Sequence, residues 1–337
     1  MHLFARGVAF RRVAAIGGLV VALAATLLFG PAISQEQASY PSRQIKLIVP
    51  FAKGGPTDVV ARIVSAEMAK TLGQPISIDN IVGAGGTAAT LRVAQAAPDG
   101  YTLIVGHMGT HAAAAALYPK LGYHPDTDFA PVALVTRMPV LLLARREFPA
   151  ANFGEFVAYV RRHPDNVNLA HAGVGSVSYA SCMLLNYLIG INPTGVPFNG
   201  TGPAMDALVA GQVDFMCDQI VNAVLPLRTE VIKAYAIASP ERDAVVPAVP
   251  TSAEAGLPGF QVEAWNAIFA PKGTPQEIVA NLNAAVVRAL DQPEVRAPLT
   301  ALGGIVPTRG QRTPEALAAL VRSDLQKWGE VLKRQVP

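Results

Sequence analysis

Short runs of apolar residues alternate along this chain with stretches in which apolar residues recur every three or four positions. A short apolar run has the length of a buried strand, and the longer spacing is that of one helix face. Strands alternating with helices are typical of α/β proteins with mainly parallel sheets. The predicted strands are 45–49, 76–79, 101–105, 167–170, 195–198, 213–217, 234–238 and 262–270, and the predicted helices include 153–162, 275–290, 293–302 and 314–332. Two further apolar runs, 132–136 and 140–144, are expected to carry the chain into a second lobe.

The first strand is followed by a glycine turn and then by the start of a helix. The sequence there is Pro50-Phe51-Ala52-Lys53-Gly54-Gly55-Pro56-Thr57-Asp58. Proline fits the first turn of a helix, and glycines allow a ligand to approach the backbone closely. The free N–H groups of a helix start attract anions, so this turn is a candidate anion site. An ordinary connection between a strand and a helix explains the same pattern equally well.

The same arrangement returns about 120 residues later, at 171–178, where a helix containing Cys182 follows the turn. Ser176 and Ser178 are both suited to cap that helix, and the capping role applies to whichever of them does not meet a ligand. Another glycine turn, 82–87, is equally consistent with a ligand-facing loop and a plain connection. The turn at 173–178 lacks the third glycine of G-x-G-x-x-G, which disfavours a dinucleotide site.

Residues 1–34 have the pattern of a leader. Three arginines precede an uncharged apolar stretch, 13–29, which is followed by the small-x-small sequence Ala32-Ile33-Ser34. This is the pattern of a secretory signal peptide cleaved before Gln35, although the stretch also reaches the short limit for a retained membrane anchor. We therefore expect the mature protein in the periplasm.

The leader also accounts for the positive charge of the chain. The full chain has 27 basic and 24 acidic residues, and the leader holds three of the basic residues and no acidic one. Without the leader the two signs balance, so nucleic acid is not an expected partner.

Two cysteines, Cys182 and Cys217, lie in the expected mature chain. An even pair in an oxidising compartment favours a disulfide over the alternative of two buried free thiols. His107 and His111 are four residues apart, but without a nearby carboxylate or cysteine they give only a weak metal signal.

Motifs of the common enzyme classes are missing from the chain. It has no G-x-x-x-x-G-K-[ST], no G-x-S-x-G around Ser176 and no H-E-x-x-H. Asp214 and Asp218 bracket a predicted strand and could act as an acid and a base, but a solvated turn and a strand-end cap explain them better. We expect neither an enzyme nor a cofactor or metal site.

Seven stretches, in order along the chain, match the motifs of a known family. They are VPFAKGGPTDVVAR at 49–62, NIVGAGGTAAT at 80–90, APDGYTLIVG at 97–106, GVGSVSYAS at 173–181, VPFNGTGPAMDALVAGQVDFMCDQ at 196–219, VPTSAEAGLPGF at 249–260 and APKGTP at 270–275. Together they resemble the substrate-binding proteins of tripartite tricarboxylate transporters, also called the Bug or TctC-like family. The resemblance spans nearly all of residues 40–335.

This resemblance implies a two-lobed periplasmic binding protein of the type II-like α/β class, each lobe a mainly parallel sheet flanked by helices. One lobe is expected at 35–136 with 263–337 and the other at 137–262, joined by a two-segment hinge. The implied function is to capture a small organic acid, a di- or tricarboxylate or an aromatic carboxylate, and deliver it to the permease subunits of a tripartite tricarboxylate transporter. A sensor that reports to a signalling partner is the alternative, and a hydrolase is a third. We expect a monomer.

Position by position, the resemblance assigns thirteen residues to ligand binding: Phe51, Gly54, Gly55, Thr57, Asp58, Ala84, Gly85, His107, Thr110, Ser176, Ser178, Asn199 and Asp218. Phe51 is expected to pack on the ligand, while the first glycine turn offers donors. Because the charge of Asp58 would repel an acid, a helix-cap role is the preferred interpretation for it. Trp265 either lines the cleft or packs at the hinge.

The chain departs from the family pattern at a few positions. Phe198-Asn199 replaces the usual Tyr-Lys, and Tyr179 stands where a histidine is common. These changes favour an aromatic or less highly charged acid.

Overall fold

A computed structural model describes residues 40–333 of the chain. The predicted signal peptide, 1–34, lies outside the described residues. Within residues 40–333, no helix combines the length and the apolar character needed to cross a membrane.

The helices and strands of this part of the chain alternate as the sequence pattern predicts. The strands are β1 (Ile45–Val49), β2 (Ile76–Asn80), β3 (Thr102–His107), β4 (Phe129–Arg145), β5 (Asn168–His171), β6 (Thr194–Pro197), β7 (Phe215–Gln219), β8 (Ile232–Ile237) and β9 (Glu263–Pro271). The α-helices are α1 (Pro56–Leu72), α2 (Thr87–Ala94), α3 (Ala114–Leu117), α4 (Phe153–Arg162), α5 (Val177–Ile189), α6 (Thr201–Val209), α7 (Ile220–Arg228), α8 (Gln276–Asp291), α9 (Pro293–Ala301) and α10 (Pro314–Lys333).

Three elements differ from the prediction, and one is the short helix α3, which no predicted element covers. The apolar runs 132–136 and 140–144 are parts of one strand, β4, which continues through Arg137 and Pro139 because β9 pairs with it along that stretch. Helix α7 is absent from the predicted elements. It contains Pro226, a residue that disfavours a helix interior.

The bounds of α1 show how local residues determine this region. Pro56 is the first helical residue, and its missing N–H is one that no helix would use. Gly73 ends the helix in the left-handed conformation with φ 64°, which glycine adopts without a steric penalty. Val60, Val64 and Met68 recur on one face and are buried against the sheet.

The strands form one mixed sheet in the order β2-β1-β3-β9-β4-β7-β5-β6, with β8 also paired to β4. Within the first half (β1–β3) and the second half (β5–β7), the pairs made by successive βα units are parallel. Every antiparallel pair of residues 40–333 involves β4 or β9, the strands that connect the halves. The predicted α/β class is confirmed.

Helix α10 packs against β4, and its Asp324 accepts from Trp265 of β9. Leu317, Val321, Trp328 and Leu332 form its buried stripe. The apolar periodicity at 314–332 therefore reflects core packing.

The predicted disulfide between Cys182 and Cys217 is present. It joins the middle of α5 to β7, and both cysteines are fully buried. The bond therefore ties the helix that follows the second glycine turn to the strand beside it.

Candidate functional site

A small cavity lies where the two glycine turns, 54–58 and 173–178, face each other. We call it the central cavity, and the turns the first and the second turn. Its lining residues are Phe51, Gly55, Pro56, Thr57, His107, Ala172, Ser176, Val177, Ser178, Thr201 and Gln219. None of these is a lysine, an arginine or a carboxylic acid. Among residues 40–333, therefore, no side chain of fixed charge lines the central cavity.

The start of α1 presents main-chain donors to the central cavity. Gly55 precedes the helix in an extended conformation, and no side chain caps the helix. The helix leaves the N–H groups of Thr57 and Asp58 unused, as it does for all first-turn residues. Because this end also has the positive pole of the helix dipole, it suits an anionic group.

The side chain of Asp58 is hydrogen-bonded to the first turn but does not line the central cavity. Its carboxylate accepts hydrogen bonds from Arg62 at 2.8 and 2.9 Å, from the N–H of Gly54 at 3.0 Å and from Asn80 at 2.9 Å. Burial alone raises the pKa of Asp58, but the bonds from Arg62, Gly54 and Asn80 outweigh it and lower the pKa below its usual value. The ion pair with Arg62 offsets a charge that would otherwise repel an acid at this helix end.

The second turn uses its serines internally. Ser176 caps α5, because its Oγ accepts from the N–H of Tyr179 at 3.2 Å, and the same hydroxyl donates to the carbonyl of Gly173 at 2.7 Å. The Oγ of Ser178 accepts from the N–H of Ala172 at 2.9 Å and lies 3.1 Å from the Oγ of Ser176. A hydroxyl has one proton, so Ser178 is the donor in that pair.

Both serine protons are therefore used within the second turn. The donors that α5 leaves to the central cavity are main-chain N–H groups of its first turn, at Val177 and Ser178. Ser176 and Ser178 fix the position of these donors.

His107 ends β3 and stacks on Phe51 with 5.0 Å between the ring centroids. Its Nδ1 accepts from the N–H of Thr110 at 3.2 Å, so the neutral ring has its proton on Nε2. Burial lowers the pKa of His107 to about 3, which keeps the ring uncharged at neutral pH. The ring therefore offers the central cavity a neutral N–H donor.

Three of the predicted ligand-binding residues line a second, outer cavity instead. Ala84, Gly85 and Asn199 line it together with Phe198, and Phe51 separates it from the central cavity. Gly54, Asp58, Thr110 and Asp218, also predicted, line neither cavity.

The two halves touch beside the central cavity. The N–H of Ala52 donates to the carbonyl of Asn199 at 2.8 Å. This main-chain bond joins the loop after β1 to the loop after β6.

A second contact between the halves involves Tyr118. Its hydroxyl oxygen lies 3.0 Å from the carbonyl oxygen of Ala84 and 2.8 Å from that of Val174. Beside it, Gly85 is so near Val174 that an added Cβ would lie 1.6 Å from the carbonyl oxygen. The structure therefore shows the cleft closed, with no room for a side chain at Gly85.

Thr201 and Gln219 line the central cavity but are absent from the predicted set. Asp218, which is predicted, lies behind them and is 1% exposed. Its oxygens accept from the N–H of Gln219 at 2.8 Å and from Asn222 at 2.6 Å. Burial raises the pKa of Asp218 to about 7, against hydrogen bonds led by that from Asn222. Both Thr201 and Gln219 lie in the family stretch 196–219, but nothing in that stretch sets them apart from their neighbours, and the order of the strands brings them to the cavity.

Trp265 and His111 belong to the core. Trp265 is buried, lines neither cavity and donates through Nε1 to Asp324 at 2.7 Å. His111 is stacked on Phe269 with 4.1 Å between the ring centroids. In the described part of the chain, no group of three or more side chains is arranged to hold a metal ion.

Comparison with known proteins gives a family match over most of the chain. Residues 60–336 match the model described as the tripartite tricarboxylate transporter family receptor. The chain is also 39% identical over 314 residues to the UPF0065 protein in the TAR-I ttuE-ttuC' intergenic region of Agrobacterium vitis, covering 93% of this chain and 90% of that protein.

Solved structures match the fold across the same region. MatC from Rhodopseudomonas palustris, with bound malate, is 66% identical with a TM-score of 0.86, covering 87% of this chain and 100% of that one. The periplasmic binding protein BugD is 39% identical with a TM-score of 0.85, covering 88% and 98%. These matches confirm the predicted two-lobed binding-protein fold.

Proposed function

This chain belongs to the tripartite tricarboxylate transporter family of receptors, and from that premise we propose that its solute is a C4 dicarboxylic acid held in the central cavity. The chain is a solute-binding receptor by family. What remains to be assigned is the acid, the residues that hold it and the partner that receives it.

The observation that supports a diacid is the pair of helix starts at the central cavity. α1 and α5 each direct unused N–H groups and a positive dipole end to the same space, which no fixed positive side chain lines. A short diacid has one carboxylate for each helix.

MatC, the similar protein described above, has bound malate, a C4 diacid. Of the departures that favour an aromatic acid, Phe198 and Asn199 line the outer cavity and not the central one, and Tyr179 lines neither. We therefore favour a C4 diacid over an aromatic carboxylate. Of the predicted contacts, we retain Phe51, Gly55, Thr57 and His107 and the main chain at 176–178.

The proposed lobes are 35–136 with 263–337, and 137–262, closing about the segments near Pro139 and Val262. Their support is that β4 pairs with β9 up to Pro139 and with β7 from Val140 onward. We propose that the closed form delivers its solute from the periplasm to transporter permease subunits. One chain supplies both walls of the cavity, which fits a monomer.

The test is calorimetry and thermal unfolding of ligand-stripped protein with malate, succinate, citrate and benzoate. A solute that binds only the folded state stabilises it by about 2.7 kcal/mol at a hundred times its Kd. We expect malate or succinate to raise the melting temperature, and dimethyl succinate, which lacks the charges, to leave it unchanged. Stabilisation by benzoate alone, or by no acid, would contradict the proposal.

A further inference from the structure

Gln219 places a side-chain amide in the wall of the central cavity. The residue is 4% exposed and lies where β7 ends and α7 begins. Its Oε1 accepts from the Nδ2 of Asn266 at 3.0 Å. Within residues 40–333 its Nε2 has no hydrogen-bond partner, so one face of the amide is left for a molecule in the cavity.

Asn266 holds that amide from the centre of the sheet. It is fully buried in β9, between β3 and β4, where its register partners are His107 and Thr136. Because Asn266 is fixed by two neighbouring strands, its bond sets the orientation of Gln219. The same strand thus lies beside His107 and behind Gln219.

The order of the strands shows which part of a solute these residues would meet. Along β1-β3-β9-β4-β7-β5, the outer strands β1 and β5 lead into the two helix starts. The inner strands β3 and β7 end at His107 and Gln219. A diacid with one carboxylate at each helix start therefore has its middle carbons beside His107 and Gln219.

We infer that Gln219, oriented by Asn266, is a specificity-determining residue that recognises an oxygen substituent between the two carboxylates. This inference rests on the proposed diacid function. The carboxylates have several main-chain donors at the helix starts, whereas the single free amide face matches one neutral oxygen. The free group is the Nε2 of Gln219, which donates, and the oxygen of a hydroxyl can accept that bond. The site should therefore prefer a 2-hydroxy diacid to the unsubstituted diacid.

Malate and succinate test this directly, because they differ only in the hydroxyl. We expect calorimetry on the wild type to give at least about tenfold tighter binding of malate, the value of one well-placed hydrogen bond in a buried site. Gln219→Met keeps the length of the side chain and removes the amide. It should weaken malate binding about tenfold and change succinate binding less than about threefold.

Two further variants separate recognition from folding. Gln261→Met removes a glutamine whose Nε2 donates to Ser252 away from the central cavity, and should leave both affinities unchanged. Asn266→Leu removes the orienting bond. It should lower the ratio of malate to succinate affinity, a readout that a general loss of stability would not move.

Equal losses for the two acids in Gln219→Met, or no loss for either, would overturn the inference while leaving diacid binding established. If the wild type bound neither acid, the proposed function itself would fail. The wild-type titrations alone decide that question.

Discussion

The two glycine turns that border the central cavity have the same order of strand, turn and helix but satisfy their hydrogen bonds differently. In the first turn no side chain of residues 40–333 caps α1, and Asp58 accepts from the N–H of Gly54 and from Arg62 and Asn80. In the second turn Ser176 caps α5 and Ser178 supports it, so both hydroxyl protons are used internally. The helix start of the first turn therefore has main-chain N–H groups with no side-chain cap, whereas at the second turn serine side chains already hold the turn in place.

This difference shows that a helix start can serve as an anion site either without a side-chain cap or with one. Both helix starts offer main-chain N–H groups, and neither relies on a charged side chain in the cavity wall. The first turn should therefore depend on the solute to complete it, while the second should keep its form without solute.

Breaking the disulfide that joins the helix after the second turn to β7 should have the largest effect, a loss of stability. The disulfide closes a segment of 35 residues between α5 and β7, and the first turn has no such bond within residues 40–333. Reduction should lower the free energy of unfolding by about 3–4 kcal/mol in the chain-entropy account. Urea unfolding with and without a phosphine reductant measures this. The Cys182→Ala/Cys217→Ala variant should be insensitive to the reductant, and an equal response in both proteins would exclude the disulfide as the cause.

Disturbing the contact that supports the second turn from the opposite half should have the next largest effect. Gly85→Ala puts a methyl group 1.6 Å from the carbonyl oxygen of Val174, which prevents closure. We expect malate affinity to fall about a hundredfold, or about 2.7 kcal/mol, in calorimetry. Gly73→Ala is the matched control, because its φ of 64° resembles the 62° of Gly85 and nothing lies within 4 Å of its added Cβ. Similar losses in both variants would point to backbone strain instead.

Giving the first turn a capping serine, as the second turn has, should have a moderate effect on malate affinity. In Gly55→Ser the new hydroxyl would accept from the first-turn N–H groups of α1 and so compete with the solute. We expect about tenfold weaker malate binding, equivalent to about 1.4 kcal/mol, with no loss of melting temperature. By contrast, Ser176→Ala should lower stability by about 1 kcal/mol, since it removes an existing cap. Unchanged affinity in Gly55→Ser would show that the solute does not use this helix start.

We expect the smallest effect, a dependence on pH, from Asp58 and Asp218, two acids that do not line the central cavity. The pKa of Asp58 is lowered, so its stabilising contribution is present above its unfolded pKa and lost only as the pH falls through its folded pKa. The pKa of Asp218 is raised to about 7, so its contribution is complete below its unfolded pKa of 3.8 and is lost as the pH rises through about 7. Between pH 6 and pH 8, therefore, Asp218 gains a charge close to the solute.

Malate affinity should fall about threefold over that interval, because an ionised Asp218 repels a dianion. Calorimetry at several pH values measures this, and Asp218→Asn should flatten the profile. His107, whose pKa is about 3, stays neutral throughout and adds no slope. A profile of unchanged slope in Asp218→Asn would assign the dependence to another group.

Both turns could be predicted from the sequence because glycine, proline and serine determine the backbone in their own neighbourhood. Gly54, Pro56 and Ser176 are such residues, and the helices begin where these residues place them. The continuity of β4 could not be predicted in the same way. Arg137 and Pro139 interrupt its apolar pattern, and its pairing with β9 depends on residues far along the chain.

The composition of the central cavity depends on the order of the strands. Thr201 and Gln219 both lie in the family stretch 196–219, but nothing in that stretch distinguishes them from their neighbours as cavity residues. Thr201 follows β6 and Gln219 ends β7, and the order of the strands brings both to the cavity wall. Asp218 illustrates the converse. Its position in the sequence is next to the site, yet its oxygens are taken by Gln219 and Asn222, a fact that no motif records.

The hydroxyl of Tyr118 has one proton for two carbonyl oxygens on opposite sides of the cleft. When the proton goes to Val174, the carbonyl of Ala84 still accepts from the Oγ1 of Thr87 at 2.8 Å. When the two halves separate, the hydroxyl of Tyr118 can turn to Ala84 in its own half and so does not lose its acceptor. This second acceptor lowers the free-energy cost of opening the cleft.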